Sequence, residues 1–255
     1  MMLLAVDIGN SNIVFGVHDG ERWCHHWRVR TVRDKMPDEY VVLFLAFLRE
    51  AGLDVGCFEQ VALSSVVPPL TGGFGEMLAA QTGVAPLILN HETATGLAFA
   101  VDDPAEVGAD LIANAVAAHA RCGGACIAVD FGTASTFTVV SDAPTFLGVA
   151  IAPGLNLVAS ALAGGTAQLP QVELAAPPGP IGTNTVTAIQ AGVVLGYVGL
   201  VEGLIDRLHG ALGFSTPVFA TGGLSRVIAP LTDRFTAVDP WLTLEGIRLI
   251  ALRNR

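Results

Sequence analysis

Two aspartates in this chain close apolar runs and open on a glycine turn. Val6-Asp7-Ile8-Gly9-Asn10-Ser11 is echoed, about half the chain later, by Val129-Asp130-Phe131-Gly132-Thr133-Ala134-Ser135. An extended strand delivers a carboxylate at its end, where it can hold a metal ion or lean on a phosphate. The glycine then lets backbone approach a ligand with no Cβ in the way. The residues that follow offer N–H groups, an amide or a hydroxyl to phosphate oxygens. One such phrase is common; two at half-length spacing imply two related halves with a nucleotide between them.

A third aspartate, Asp110, stands in Val107-Gly108-Ala109-Asp110, directly before a helical run. The plain reading is a helix N-cap. The functional reading is an ionised carboxylate that takes a proton from an attacking hydroxyl. Thr221-Gly222-Gly223 follows an apolar strand and precedes a helical pattern, so its backbone can approach an adenosine or its phosphates at a helix N-terminus. Alone it is an ordinary turn. With the two Asp-x-Gly phrases it matches the layout of actin-like kinases and ATPases.

The composition narrows the classes. Hydrophobic residues make up 52% and charged residues 14% of 255 residues, which excludes disorder. Net charge is −10, against a nucleic-acid partner. With 13 lysines and arginines, a bound polyanion must rely on a metal ion and oriented amides. The run Val41 to Leu48 is too short to span a bilayer and no basic leader precedes Asp7, so a soluble cytoplasmic protein is expected. Cys24, Cys57, Cys122 and Cys126 lack paired C-x-x-C spacing and read as reduced thiols. Cys24, His25 and His26 suggest a metal, but alternation along a strand sends neighbours to opposite faces.

The elements that must position these residues follow from pattern. Strands are expected at 2–7, 11–17 and 22–30, a helix at 38–50 ended by Gly52, a strand at 61–64, a helix at 73–82 and a strand at 86–89. After a helix at 111–121 the pattern restarts: strands at 126–130, 134–140 and 145–151, a loop at 170–182, a long helix at 185–212, a strand at 218–220 and a helix at 242–253. Residues 1–115 and 116–255 form the two expected halves. The long helix carries Gly192, Gly196, Gly199 and Gly203 on one face. Each interior glycine weakens a helix by about 1 kcal/mol relative to alanine. Such a stripe asks for close backbone approach, either by the chain's own sheet or by the same helix of a second subunit.

From end to end the chain resembles the type III pantothenate kinases. The matching segments are Asp7–Asn12, Ser64–Pro68, Asp103–Asp110, Asp130–Thr136, Ala152–Gly154, Thr166–Pro170, Gly182–Thr185, Thr221–Gly223 and Leu242–Gly246. The resemblance implies an actin-like α/β fold of duplicated ribonuclease-H-like halves, with mixed β-sheets flanked by helices. It implies ATP-dependent phosphorylation of pantothenate, the first step towards coenzyme A, in a homodimer with the pantothenate site at the subunit interface. It also implies Mg²⁺ with the ATP and a monovalent cation, K⁺ or NH₄⁺. By motif position Asp7 and Asp130 serve the metal, and Asp110 is the base. Gly9, Asn10, Ser11, Asn12, Gly132, Thr133, Gly222 and Gly223 face ATP. Val101, Gly108, Ala109, Asp110, Leu111 and Thr185 face the acceptor.

Departures from the family pattern cluster on the acceptor side. Leu111 stands where the family has an arginine suited to the pantothenate carboxylate, and leucine cannot imitate that fork. Val101 replaces a tyrosine, Val149 a glycine, and Thr138 a frequent acidic residue. The alternatives are therefore a homologue with an altered acceptor and a non-catalytic nucleotide-binding regulatory protein.

Overall fold

The computed structural model describes all 255 residues. They form two compact units, Met1–Ala117 with Leu242–Arg255 and Ala118–Trp241.

In the first unit, β1 (Leu3–Ile8), β2 (Asn12–His18) and β3 (Trp23–Arg30) form an antiparallel meander. β4 (Gln60–Ser65) and β5 (Leu87–Ile88) then add parallel strands, giving the order β3-β2-β1-β4-β5. Alternation puts Val6, Ile8, Ile13, Phe15, Val17 and Leu63 on one face. Helices α1 (Pro37–Ala51) and α2 (Pro68–Thr82) cover that face with Tyr40, Phe44 and Phe74. α1 ends as expected at Gly52, whose φ of 68° is left-handed. α2 begins earlier than the sequence suggests. Pro68 and Pro69 punctuate β4 by occupying the first helical turn, where a missing N–H costs nothing.

A two-residue strand β6 (Ala98–Phe99) leads to α3 (Ala109–Cys122). The last helix, α8 (Leu242–Arg253), returns to the first unit. Gly246 of α8 lies so close to the Ala113 backbone of α3 that a Cβ there has no room.

The second unit repeats the plan. β7 (Cys126–Phe131) pairs antiparallel with β8 (Ala134–Val140), which pairs antiparallel with β9 (Thr145–Pro153). β10 (Val218–Thr221) lies parallel to β7, and β11 (Ala237–Val238) parallel to β10. The order β9-β8-β7-β10-β11 has the same sense as β3-β2-β1-β4-β5. Between the strands lie α4 (Leu155–Gly164), α5 (Thr185–Gln190), α6 (Gly196–Leu212) and the short α7 (Ser225–Ile228). A π-helical turn, Ala191–Leu195, joins α5 to α6. The expected long helix is thus continuous over 185–212 but widened at Gly192. It is long and apolar enough to cross a membrane by length and composition. Its face bearing Val194, Val201 and Ile205 belongs to this unit's core.

Gly246→Ala should lower stability by about 1–3 kcal/mol, because the methyl group must displace backbone. Gly210→Ala, where a Cβ meets nothing within 4 Å, should add up to about 1 kcal/mol. Denaturant midpoints of the two variants measure both; equal midpoints would contradict the close α8–α3 contact.

Candidate active site

Asp7 ends β1 between Val14 of β2 and Ser64 of β4. Ser64 is fully buried and donates its hydroxyl to Asp7 Oδ1 at 2.9 Å, which fixes the carboxylate's direction. The hairpin after it closes with Gly9 N donating to Asn12 O at 2.9 Å. Thr31 staples it from outside: its hydroxyl donates to Gly9 O at 2.7 Å and its N–H to Ser11 O at 3.0 Å. Asn10, Ser11 and Asn12 are exposed at the hairpin tip.

Asp110 lies in the first turn of α3 and is not the cap residue. Gly108 precedes the helix, and its carbonyl accepts from Ile112 N at 3.1 Å. Asp110 Oδ1 accepts from Leu111 N at 2.8 Å. A Cβ at Gly108 would fall 2.6 Å from that oxygen and 3.3 Å from Val66 Cγ1. Val66 in turn donates its N–H to Ile8 O at 3.0 Å. Residues Val66 and Gly108 therefore link the start of α3 to the end of β1, and Asp110 and Asp7 belong to the same end of this unit. Part of Asp110 remains at the surface, but the atoms crowding its carboxyl remove enough water that burial pushes its pKa above the ordinary carboxylate value; the Leu111 amide pulls the other way and is outweighed. Ala109 and Leu111 are buried, and Val101 is half-buried.

In the second unit Asp130 holds the position of Asp7, between Thr136 of β8 and Thr221 of β10. Here the neighbour is backbone. Gly222, with φ of 86°, comes so near Asp130 and Phe131 that any side chain at 222 would collide with them. Ser225 N and Oγ both donate to Gly222 O, at 3.2 and 2.7 Å, and hold the turn. The helix after this turn is only the four-residue α7, shorter than the sequence pattern suggests. Gly132 and Thr133 are exposed at the tip of their hairpin, backed by Gly154, whose N–H donates to Thr133 O at 3.2 Å. A Cβ at Gly154 would overlap both carbonyls, which explains the Ala152-Pro153-Gly154 segment.

Thr185 opens α5, which Asn184 caps by accepting from Thr187 N at 2.9 Å. Thr185 lines a cavity of about 890 Å³ together with Val158, Leu162, Asn184, Gly192 and Tyr197. The Tyr197 hydroxyl is hydrogen-bonded to Ser135 Oγ at 2.6 Å and to Pro153 O at 2.9 Å, so the cavity wall is tied to β8 and β9.

No group of three His, Cys, Asp or Glu side chains is arranged to cage a metal. Cys24, His25 and His26 lie on β3. Ser64, Thr31 and Gly154 were not assigned site roles from sequence. Their signal was weak: a small residue at a strand end, a threonine in a polar loop and a Pro-Gly turn.

The profile of the type III pantothenate kinase family matches residues 3–207. A type III pantothenate kinase of Roseiflexus castenholzii is 50% identical over 254 residues, covering 100% of both chains. One from Moorella thermoacetica is 45% identical, covering 99% of this chain and 100% of its own. Among solved structures, a Campylobacter jejuni protein described as a conserved Baf family transcriptional activator superposes with a TM-score of 0.58 at 20% identity, covering 98% of each chain. Component A of Acidaminococcus fermentans (R)-2-hydroxyglutaryl-CoA dehydratase also scores 0.58, at 14% identity and covering 99% and 97%. At such identities the structures speak for the fold alone, and that fold is the actin-like one. Full-length identity at this level, on a duplicated frame with an aspartate at each strand end, places the chain in the type III pantothenate kinase family, which phosphorylates pantothenate with ATP at the start of coenzyme A biosynthesis.

Proposed function

We propose how the residues of this chain divide that reaction. Asp110 accepts the proton of the pantothenate primary hydroxyl as that oxygen attacks the γ-phosphorus of ATP. The new O–P bond forms, the bond to the bridging oxygen breaks, and ADP leaves with its electron pair. The observation that carries this role is the crowded carboxyl of Asp110 in the first turn of α3, whose burial raises its proton affinity above that of an ordinary carboxylate. Asp7, oriented by Ser64, and Asp130, backed by Gly222, serve the metal–phosphate end. Mg²⁺ bound with ATP supplies neutralisation of charge on the β- and γ-phosphates. Asn10 to Asn12 and Thr133 turn polar groups towards those phosphates, Gly9 and Gly132 close the hairpins with their own N–H groups and keep Cβ atoms out of the way, and Gly222 and Gly223 approach the nucleotide with bare backbone. Asp130 and Thr133 are also the oxygen donors for a monovalent cation, K⁺ or NH₄⁺. The enzyme works in the cytoplasm.

Thr185 and the acceptor stretch Val101 and Gly108 to Leu111 handle pantothenate. The active form is a homodimer, and the glycine stripe supports it. The core-facing side of the helix lies opposite, and a Cβ at Gly192, Gly196 or Gly199 meets nothing within 4 Å of its own chain. Packing on the chain's own sheet therefore does not explain them. A two-fold axis brings identical patches together, so a second copy of the same helix satisfies the stripe.

Three outcomes test these roles. Asp110→Asn should abolish turnover, and the wild-type acid limb of kcat/KM should lie above the ordinary carboxylate value of about 4. The raised pKa means the folded state binds a proton more tightly than the unfolded one. That favours folding below the unfolded pKa and is lost as pH rises through the folded pKa. Asp110→Asn should thus be more stable than wild type at neutral pH and lose that advantage in acid, measured by denaturation across pH.

Leu111→Arg should lower KM for pantothenate by roughly tenfold or more, the worth of a charge-assisted hydrogen bond. Steady-state kinetics decide it, with a melting curve to show that the arginine is accommodated at this buried position. A wild type that already binds pantothenate as tightly as the variant would mean that another cation serves the carboxylate.

Gly199→Leu should keep the subunit folded yet shift sedimentation towards monomer and reduce activity. A variant that stays fully dimeric would remove the stripe from the interface.

A further inference from the structure

Arg33 is placed on the Gly9–Ser11 hairpin by a chain of specific contacts. Thr31 hydrogen-bonds Gly9 and Ser11 of the hairpin. Val32 is held next: its N–H donates to Tyr40 Oη at 3.0 Å, and its carbonyl lies 3.1 Å from the same hydroxyl. Tyr40 itself is buried in the core. With both preceding residues anchored, the Arg33 backbone has a defined place, and its Nη2 donates to Asn10 Oδ1 at 2.9 Å.

The charge around it is unusual for this protein. The chain has net charge −10, yet no carboxylate pairs with Arg33. The nearby Lys35 is committed elsewhere, its Nζ lying 4.9 Å over the Tyr40 ring. Arg33 is exposed. A guanidinium carries five N–H donors in a planar fork, and Asn10 takes one. The rest are free to meet phosphate oxygens, the partner this fork fits best.

We propose that Arg33 grips the terminal phosphates of ATP at the hairpin tip, with Asn10 holding its guanidinium in place. This rests on the reading that the Gly9–Ser11 hairpin receives the ATP phosphates. A cation there compensates the negative field of the chain where a polyanion must enter, and it strengthens its hold on the γ-phosphoryl group as charge spreads over that group during transfer.

The test compares full-length wild type, Arg33→Ala, Arg33→Lys and Asp7→Asn, with ATP varied at saturating pantothenate. Binding of AMP and of a non-hydrolysable ATP analogue is measured in parallel. Arg33→Ala should lower kcat/KM for ATP by roughly tenfold or more, with pantothenate KM and the melting temperature unchanged. Analogue affinity should fall while AMP affinity holds, and Arg33→Lys should recover part of the loss. If Arg33→Ala matches wild type while Asp7→Asn is inactive, the hairpin reading stands and the role of Arg33 falls. If Asp7→Asn also matches wild type, both fall. Equal losses of AMP and analogue affinity would make Arg33 a prop for the hairpin and overturn the proposal.

Discussion

Asp7 and Asp130 each end a strand hydrogen-bonded on both sides, antiparallel to its hairpin partner and parallel to a strand from much later in the chain. That double pairing is what makes a strand-end carboxylate stiff. Neither neighbour can shift without breaking a ladder, and the turn that follows inherits the rigidity. The two halves complete the arrangement with different chemistry at equivalent places. The first uses a buried hydroxyl, Ser64, to aim its carboxylate. The second brings the backbone of Gly222 against Asp130, so that only glycine fits. One solution holds the carboxylate with a hydroxyl donor; the other walls it with backbone.

Asp110 shows the opposite economy. A carboxylate in the first turn of a helix is normally comfortable, since the dipole and free N–H groups favour its charge. Here crowding around Gly108 outweighs that help and lifts the pKa. Gly108 is the reason such crowding is possible, because a Cβ would occupy the space that the carboxylate uses. Within the same unit, Asp7 has a buried hydroxyl donating to it while Asp110 has crowding that disfavours its charge, so two carboxylates of one frame are held in opposite ionisation environments.

Much of this was legible in the chain. The duplicated phrase read correctly because its strands are short, apolar and bounded by glycine, so their period and ends coincide. α4 was missed: Leu155–Gly164 has no charged residue, and Asn156 and Ser160 alone make too short a polar stripe to separate helix from loop. The return of α8 to the first unit was invisible because nothing local encodes a contact between Gly246 and Ala113. The hydrogen bonds of Thr31 and Ser64 were equally silent, since a hydroxyl finds its acceptor only after the sheet has formed. Nothing in the sequence singles out Arg33; its place follows from the anchoring of Val32 by Tyr40 and from its own bond to Asn10.

The helix over 185–212 joins these strands of argument. Its composition alone passes for a membrane span, yet the two faces differ in kind. One packs large side chains into the core of its unit, where burial holds it. The other is cleared to backbone by glycines and widened by a π-turn alongside the cavity. Glycines that weaken the helix and a turn that strains it persist only where something else gains from the space. The cavity shares its wall with Thr185 and with the tyrosine tied to β8 and β9. Through Gly192 and Gly196 the cleared face continues into the cavity wall that holds Thr185, so the two are one surface and a side chain added to the stripe there would enter the cavity as well.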